Sequence, residues 1–399
     1  DTDLAALADG VAGQIVIGQS SGTSDVTVGS STFRDAVVFR TGSLNSVVFS
    51  GLFTGATSDA SLTAEGGAAV LFANIVTLGQ NVNLDVATTR LGATASIDTT
   101  SAASGGDITF GGALRATTDG SQGIVLNAGA DGGVVVTGAA GSTRLAGFTV
   151  IAANLSTQGV RSAFIDSTVG AAATYAGLLD TSGAGGIGLH GAGTHTLSGG
   201  ATTTGTGGFT ADGAGLLSIN TAALTLDGAF DRTGGATNLG AGISTTGDAV
   251  SFGGDVTVSS DLAISTVAGG NVTGATVTFA GATDGDAAGR DLSVDAGTGG
   301  TVTFGGDVGA TQALGSLTAV ADTSTTSIFL QNVITTGGQS YTGSLRLAGD
   351  LTNTGTGEAL TLEFTGLRVL NVENFGDNGA SASGADVRKV DLRESIESR

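Results

Sequence analysis

A short recurring phrase decides how this sequence folds. An aliphatic residue, a hydroxyl residue, phenylalanine and a small pair ending in glycine occur together four times, as Ile108-Thr109-Phe110-Gly111-Gly112, Val250-Ser251-Phe252-Gly253-Gly254, Val277-Thr278-Phe279-Ala280-Gly281 and Val302-Thr303-Phe304-Gly305-Gly306. The alternation of apolar and polar residues is typical of a short β-strand with one buried face, and the small residues that follow are typical of a turn. The phrase therefore predicts a strand and a corner that the chain uses repeatedly.

The phenylalanines in the second half of the chain are spaced regularly. They stand at positions 209, 230, 252, 279, 304 and 329, at intervals of 21 to 27 residues that average 24. A period of this size with two or three short strands is typical of a β-solenoid, in which each coil stacks on the one before. We therefore predict an all-β fold, a β-solenoid of about 16 coils of about 21–27 residues. The phenylalanines would stack inside, and the glycine pairs would form corners that need positive φ or close backbone approach.

Antiparallel β-sandwiches are the alternative all-β fold. They would predict Asn-Gly hairpin turns, larger aromatic cores and repeats of about a hundred residues. Asn378-Gly379 is the only Asn-Gly pair, and the sequence contains no Trp and no Pro. The absence of proline suits stacked coils, because each backbone N–H is then needed in a ladder. The pattern favours the solenoid.

The composition is nearly constant along most of the chain, which predicts one continuous domain. We expect residues 1–384 to form a single β-solenoid rod, continuous with further coils or with neighbouring molecules. Eight of the fifteen residues at 385–399 are charged, so this segment is predicted to be a C-terminal cap or a linker. Helix signals are poor, and the best helical candidates are residues 2–12 and 385–398.

Charge and composition exclude several classes of protein. The 399 residues include 14 basic and 35 acidic ones, a net charge of −21, while 40% of residues are hydrophobic. A disordered chain would be less hydrophobic, and a nucleic-acid-binding surface would be basic. There is no cysteine for disulfides or thiolate–metal sites, and there is no uninterrupted apolar run long enough for a transmembrane helix. The N-terminal residues show no signal peptide, which predicts either a processed protein or an internal fragment.

The repeating residue pattern of 200–370 resembles that of a known family. The stretches that carry the likeness are the Val-Thr-Phe-Gly-Gly-Asp-Val phrase at 302–308, Ala-Leu-Gly-Ser-Leu-Thr at 313–318 and Ile-Thr-Thr-Gly-Gly-Gln-Ser-Tyr-Thr-Gly at 334–343. They resemble the repeats of large secreted bacterial surface proteins of the filamentous-haemagglutinin and autotransporter-passenger type. The resemblance implies a right-handed parallel β-helix, export to the cell surface, and adhesive or filament-forming work.

Two groups of side chains invite a metal-site hypothesis. His190 and His195 are separated by four residues, but the nearest aspartate is Asp180, so we interpret them as surface or turn histidines. Calcium takes about six to eight oxygen ligands, several of them carboxylate. The densest aspartate cluster is Asp284, Asp286, Asp291 and Asp295. It lacks the calcium-binding loop patterns, so we assign no metal site and keep calcium open as the one candidate cofactor. Turn asparagines Asn127, Asn220 and Asn332 are predicted to form structural amide ladders.

A polysaccharide lyase or hydrolase is the main enzymatic alternative, since β-helices can carry such activities. It would need a paired acid and base, or a basic residue with calcium, in a cleft. Lys389 is the only lysine, and glutamate is confined to Glu65, Glu358, Glu363, Glu373, Glu394 and Glu397. We therefore predict no catalytic, cofactor-binding or metal residues and no enzyme activity.

The sequence as a whole predicts a structural or adhesive extracellular protein of a bacterial surface. It would form a stiff rod or an end-to-end filament without disulfides. Expected partners are further copies of the chain, or glycans or matrix at a host or cell surface, with neither nucleic acid nor a transmembrane segment involved.

Overall fold

The computed structural model describes residues 10, 13–101, 104–322, 326–355, 360–364 and 390–394. The chain is all-β, and its parallel strands stack as a β-solenoid of about 15 turns in all, which confirms the predicted fold class. The described residues contain a single short 3₁₀ helix, Ala268–Gly270. Two compact units, residues 1–199 and 200–399, are distinguished by their internal contacts and are described in turn.

The strands of unit 1 are mostly three or four residues long, with four strands of ten or eleven. They are β1 (Ile15–Gly18), β2 (Val26–Val28), β3 (Ser31–Phe33), β4 (Val37–Arg40), β5 (Ser46–Phe49), β6 (Phe53–Gly55), β7 (Leu62–Leu71), β8 (Ile75–Thr77), β9 (Val82–Leu91), β10 (Ala95–Asp98), β11 (Ile108–Phe110), β12 (Ala113–Ala116), β13 (Ile124–Asn127), β14 (Gly133–Val136), β15 (Ala140–Leu145), β16 (Phe148–Thr157), β17 (Val160–Ser162), β18 (Ile165–Tyr175), β19 (Leu179–Thr181), β20 (Ile187–His190) and β21 (Thr194–Leu197).

Each turn of unit 1 presents three strand faces. The first half of β7 pairs with β4, its second half pairs with β5, and the following β8 pairs with β6. A long strand such as β7 therefore bends around a corner without leaving the ladder. The bend lies at Gly66, whose φ is +146°, a conformation that glycine adopts at little cost. Inward positions on the first face stack in register as Ile15, Val37, Leu62, Val82, Ile108 and Val134.

The strands of unit 2 are shorter. They are β22 (Ala201–Thr203), β23 (Phe209–Ala211), β24 (Leu217–Ile219), β25 (Leu224–Leu226), β26 (Phe230–Arg232), β27 (Thr237–Leu239), β28 (Ile243–Thr245), β29 (Val250–Phe252), β30 (Val256–Val258), β31 (Leu262–Ser265), β32 (Val277–Phe279), β33 (Thr283–Gly285), β34 (Asp291–Asp295), β35 (Val302–Phe304), β36 (Ser316–Val320), β37 (Thr326–Leu330), β38 (Val333–Thr335), β39 (Gln339–Thr342), β40 (Ser344–Leu347), β41 (Leu351–Asn353), β42 (Leu360–Phe364) and β43 (Val390–Glu394).

The recurrent phenylalanines of unit 2 stack inside the solenoid, as the phrase predicts. The rings of Phe252 and Phe279 have centroids 5.0 Å apart, and those of Phe279 and Phe304 are 4.5 Å apart and nearly parallel. All three side chains are fully buried. Burying an aromatic side chain of this size stabilises a fold by about 1.5–3 kcal/mol. The stack is therefore a main source of the stability of these turns.

The prediction of one phenylalanine column is wrong in two respects. Phe230 lies opposite Val250, so Phe252 stands opposite Arg232 and the aromatic series steps sideways into a neighbouring inward column. Phe329 lies opposite the outward residue Thr303 and is only half-buried. Register explains both differences. A shift of two residues keeps Phe252 on the inward face but moves it to the next column, whereas a shift of one residue turns Phe329 to the other face.

The glycine pairs after these phenylalanines form corners because neighbouring backbones approach closely there. A Cβ on Gly306 would lie 2.6 Å from the carbonyl oxygen of Gly281, and one on Gly254 would collide with the carbonyl oxygen of Gly235. None of the paired glycines has a positive φ, so close approach is the requirement that selects them.

The two helical candidates have different outcomes. Residues 390–394 are a strand, β43, which pairs in parallel with β42, so a helix over 385–398 is wrong at these positions. The rest of that segment, and the candidate at 2–12 apart from Gly10, lie outside the described residues. Within the described part of the chain, no helix has the length and apolar content that a membrane crossing requires.

Candidate functional site

The two histidines occupy different environments. His190, at the end of β20, lies with Nε2 3.5 Å from the carboxylate of Asp166 and is about one-third exposed. His195, on β21, is 4% exposed and its ring stacks on Tyr175, with centroids 6.3 Å apart. The prediction of a surface or turn position is therefore wrong for His195. His195 is inward because it stands in register with the buried Ala173 of the preceding turn.

A polar cluster lies inside unit 1 around Tyr175. Its hydroxyl is 2.6 Å from the hydroxyl of Ser167, and both residues are fully buried. Burial raises the pKa of Tyr175 because the phenolate would lose its solvation, an effect that the Ser167 hydrogen bond partly offsets. The cluster thus combines Ser, Tyr and His side chains, but a substrate in solvent has no contact with them. Its hydrogen bond and its ring contact are both made inside the coil.

The aspartates of the calcium hypothesis are held apart by separate partners. Their carboxylates accept hydrogen bonds as follows: Asp284 from the N–H of Thr311, Asp286 from Arg290, Asp291 from the hydroxyl of Ser316, and Asp295 from the N–H of Gly297. The hydrogen bond from Arg290 lowers the pKa of Asp286. Across the described residues, no three His, Asp or Glu side chains converge on one point. Calcium binding stays a prediction.

Many turn carboxylates and amides connect one coil to the next. Asp107 accepts the N–H of Gly133 at 2.7 Å, and Asp255 accepts that of Ala282 at 2.9 Å. Asn332 donates its amide to Asp307 at 2.9 Å and accepts the N–H of Asp350 at 2.9 Å. These contacts satisfy backbone N–H groups where the chain leaves the strand ladders, which accounts for part of the acidic composition.

The hydrogen bonds of the three turn asparagines are not made to other side-chain amides, and only those of Asn332 link successive coils. Asn332 bridges successive coils as described. Asn127 instead accepts the N–H of Gly129, and Asn220 accepts the hydroxyl hydrogen bond of Ser218, so both bond locally within their own turns.

A buried arginine lies in the inward column of unit 2. Arg232 is 2% exposed and donates to the carbonyl oxygens of Ala211 at 3.3 Å and Gly213 at 3.2 Å, and also to that of Gly215. Burial lowers the pKa of Arg232, while the charge of Asp212 acts in the opposite direction. The guanidinium therefore holds together the turn after β23, and sequence patterns did not reveal it.

Four arginines on neighbouring strands of unit 1 form a feature that sequence reasoning also missed. We call Arg90, Arg115, Arg144 and Arg161, on β9, β12, β15 and β17, the arginine row. Arg90 and Arg115 are direct register partners. Arg144 and Arg161 immediately precede Leu145 and Ser162, which are partners in turn. The signal was available in the sequence, because the interval of 25 residues between Arg90 and Arg115 lies within the range of the predicted coil.

Asp180 neutralises part of the arginine row. Its carboxylate accepts Arg144 at 2.8 Å and Arg161 at 3.0 Å, while Arg144 also donates to the backbone oxygen of Ser162. Arg90 and Arg115 take no part in this network. The arginine row is thus a concentrated set of cations in a chain of net charge −21.

Comparisons with known proteins give no relative for this chain. No protein-family model, no curated protein and no solved structure matches it.

Proposed function

We propose that this protein is a structural or adhesive component of a bacterial surface, exported from the cell, and that it performs no catalysis. The observation that carries the proposal is the use made of its polar side chains. Asp107, Asp255, Asp307 and Asn332 accept backbone N–H groups of the following coil, and the buried hydroxyls of Ser167 and Tyr175 bond to each other. The carboxylates and the amide thus join one coil to the next, and the hydroxyl pair is bonded within one coil.

This construction suits a protein that resists force and proteolysis outside the cell. Stacked ladders and the Phe252–Phe279–Phe304 series join successive turns without a single cysteine. Removal of one turn would expose strand edges on both sides, so partial unfolding is costly. The resemblance to the repeats of bacterial surface proteins supports the same role.

Two kinds of partner fit this role. A parallel ladder can be extended by the strands of a second copy, which would make an end-to-end filament. Alternatively, the outward faces would contact glycans or matrix.

Location is the decisive test. Antibodies to the purified chain should label intact cells of the source bacterium by immunogold electron microscopy, and external protease should remove the label. Label found only inside sectioned cells would overturn the proposal.

A separate assay tests the absence of catalysis. The protein is incubated with a panel of polysaccharides, with and without calcium, and new reducing ends and unsaturated products are measured. We expect neither above a heat-denatured control. Reproducible product release would favour the glycan-active enzyme instead.

A further inference from the structure

Arg90 and Arg115 differ from two other outward arginines on paired strands of unit 1. Arg40 lies opposite Glu65, and Arg161 lies opposite Asp180. Arg90 and Arg115 instead lie opposite each other. Like charges directly opposite on adjacent strands are destabilising. None of the ion pairs among the described residues includes Arg90 or Arg115.

Both side chains point outward from the solenoid. Arg90 lies between the buried residues Thr89 and Leu91, and Arg115 lies between the buried residues Leu114 and Ala116. In-register neighbours on adjacent strands are about 4.8 Å apart, so the two side chains leave the sheet at neighbouring positions. The Nε atoms of both are shielded from solvent and have no hydrogen-bond partner among the described residues.

The charged groups around the pair are few. Asp180 is shared by Arg144 and Arg161, and Asp119 accepts the backbone N–H of Arg144 at 2.7 Å. Neither carboxylate bonds to Arg90 or Arg115. The pair is therefore the uncompensated part of the arginine row.

An exposed aromatic ring lies against the residue that follows the strand of Arg90. Phe72 is 51% exposed, and its ring covers Gly92, two residues after Arg90, so closely that a Cβ on Gly92 would collide with it. An aromatic face beside cations offers a surface for the C–H face of a sugar ring and donors for its acidic substituent.

We infer that Arg90 and Arg115, with Phe72 beside them, bind the oxyanions of an acidic polysaccharide. The forked guanidinium donates two parallel hydrogen bonds to a carboxylate or sulfate, which supplies the missing counter-charge. A linear polymer fits because Arg90 and Arg115 stand at the same register position of paired strands, one on each of two successive coils. The inference deepens the adhesive role proposed above and rests on it.

The overall negative charge does not prevent such contact. At physiological ionic strength the Debye length is about 8 Å, so a sugar carboxylate on the arginine row interacts mainly with the guanidiniums. The net negative charge of the chain does disfavour nucleic acid, because nucleic-acid binding depends on neutralising many phosphates.

Binding to immobilised polysaccharides tests the inference. The full chain is passed over alginate, dextran sulfate and neutral dextran without calcium. We expect binding to one or both acidic polymers and none to dextran, and the preferred polymer distinguishes carboxylate from sulfate. Arg90→Gln/Arg115→Gln should weaken binding about tenfold or more, because two charge-assisted contacts are lost. Arg346→Gln, which removes an exposed arginine of β40, should bind like the wild type.

Two further measurements separate binding from a structural role. Without polysaccharide, the double Gln variant should unfold at or above the wild-type temperature, since a like-charge pair has been removed. The variant Arg90→Lys/Arg115→Lys keeps both positive charges but loses the forked guanidinium donors. Its binding to the acidic polymer should therefore be weaker than that of the wild type and stronger than that of the double Gln variant.

Several outcomes would overturn the inference. These are unchanged binding by a folded double Gln variant, equal binding to neutral dextran, binding of single-stranded DNA in place of both acidic polymers, or a lowered unfolding temperature for both double variants. If any of these results were found while immunogold label still lay outside the cell, the inferred polysaccharide site would be wrong. The proposed surface role would remain supported.

Discussion

The interior of unit 2 between residues 209 and 304 is built from aromatic rings, whereas the interior of unit 1 around Tyr175 is polar. In the first region Phe279 contacts an aromatic ring on each side. In the second, Tyr175 bonds to Ser167 and stacks on His195. Both regions carry the same parallel ladder of strands. The backbone ladder therefore fixes the spacing between turns. The space inside can be filled either by packed aromatic rings or by polar side chains that are hydrogen-bonded to each other.

Removal of the central ring should give the largest effect. Phe279→Ala leaves a cavity between Phe252 and Phe304 and should lower the free energy of unfolding by about 3–5 kcal/mol. Chemical denaturation measures the change. Phe329→Ala is the matched control, because Phe329 is half-buried and lies outside the column, and it should cost about 1 kcal/mol. Equal losses in the two variants would contradict the two-column register.

The buried arginine tests whether the aromatic region depends on a polar element. Arg232→Ala removes the guanidinium donor from the carbonyl oxygen of Gly213 and leaves that of Ala211 with the N–H of Thr233 alone, so it should cost about 2–3 kcal/mol. Amide hydrogen exchange should rise first in the turn after β23. Arg144→Ala, which removes a half-buried surface arginine, should cost less, and a reversed order would show that Arg232 does not hold this turn.

The polar region is tested by Tyr175→Phe, which leaves the Ser167 hydroxyl unsatisfied and should cost about 1–2 kcal/mol. Burial raises the pKa of Tyr175 and of Tyr341, the only two tyrosines in the chain. Their contribution to stability is therefore complete below the unfolded-state pKa of about 10 and is lost as pH rises above it.

Ultraviolet absorbance gives a direct check on the alkaline side. Tyrosinate absorbance should appear only together with unfolding, and the decline in stability should be less steep in Tyr175→Phe. Tyrosinate in a chain that keeps its native circular dichroism would contradict the burial of these groups.

The smallest effect concerns a surface carboxylate of unit 2. Asp227 accepts the N–H of Thr206 at 2.8 Å and the hydroxyl of Thr246 at 3.1 Å, and these bonds lower its pKa. Because the folded-state pKa is depressed, the stabilisation is present above the unfolded-state value of about 4 and is lost as pH falls below it. Asp227→Asn should flatten this part of the acid unfolding curve.

Thr206 offers a second variant for the same contact. It is the one described non-glycine residue with a positive φ, 69°. Thr206→Gly should relieve backbone strain and partly restore the stability of Asp227→Asn. An unchanged denaturation midpoint would show that Asp227 does not hold this conformation.

Much of the fold could be predicted from local patterns. The phrase around Phe252 gave its strand, its buried face and the close approach at Gly254. The site could not be predicted as well. His195 is predicted at the surface or in a turn, Arg232 has no distinguishing neighbours in the sequence, and the 25-residue interval between Arg90 and Arg115 does not by itself show that they pair. Each depends on which residue of another coil stands opposite.

The sequence by itself determined the all-β class, the repeat and the residues able to form inward faces, because alternation of side chains along a strand is a local property. Only the tertiary structure decided the sideways step between Phe230 and Phe252, the outward position of Phe329 and the pairing of Arg90 with Arg115. Register depends on how many residues each corner takes before the chain closes on the previous coil. That number varies from turn to turn, and a change of one residue reverses the face.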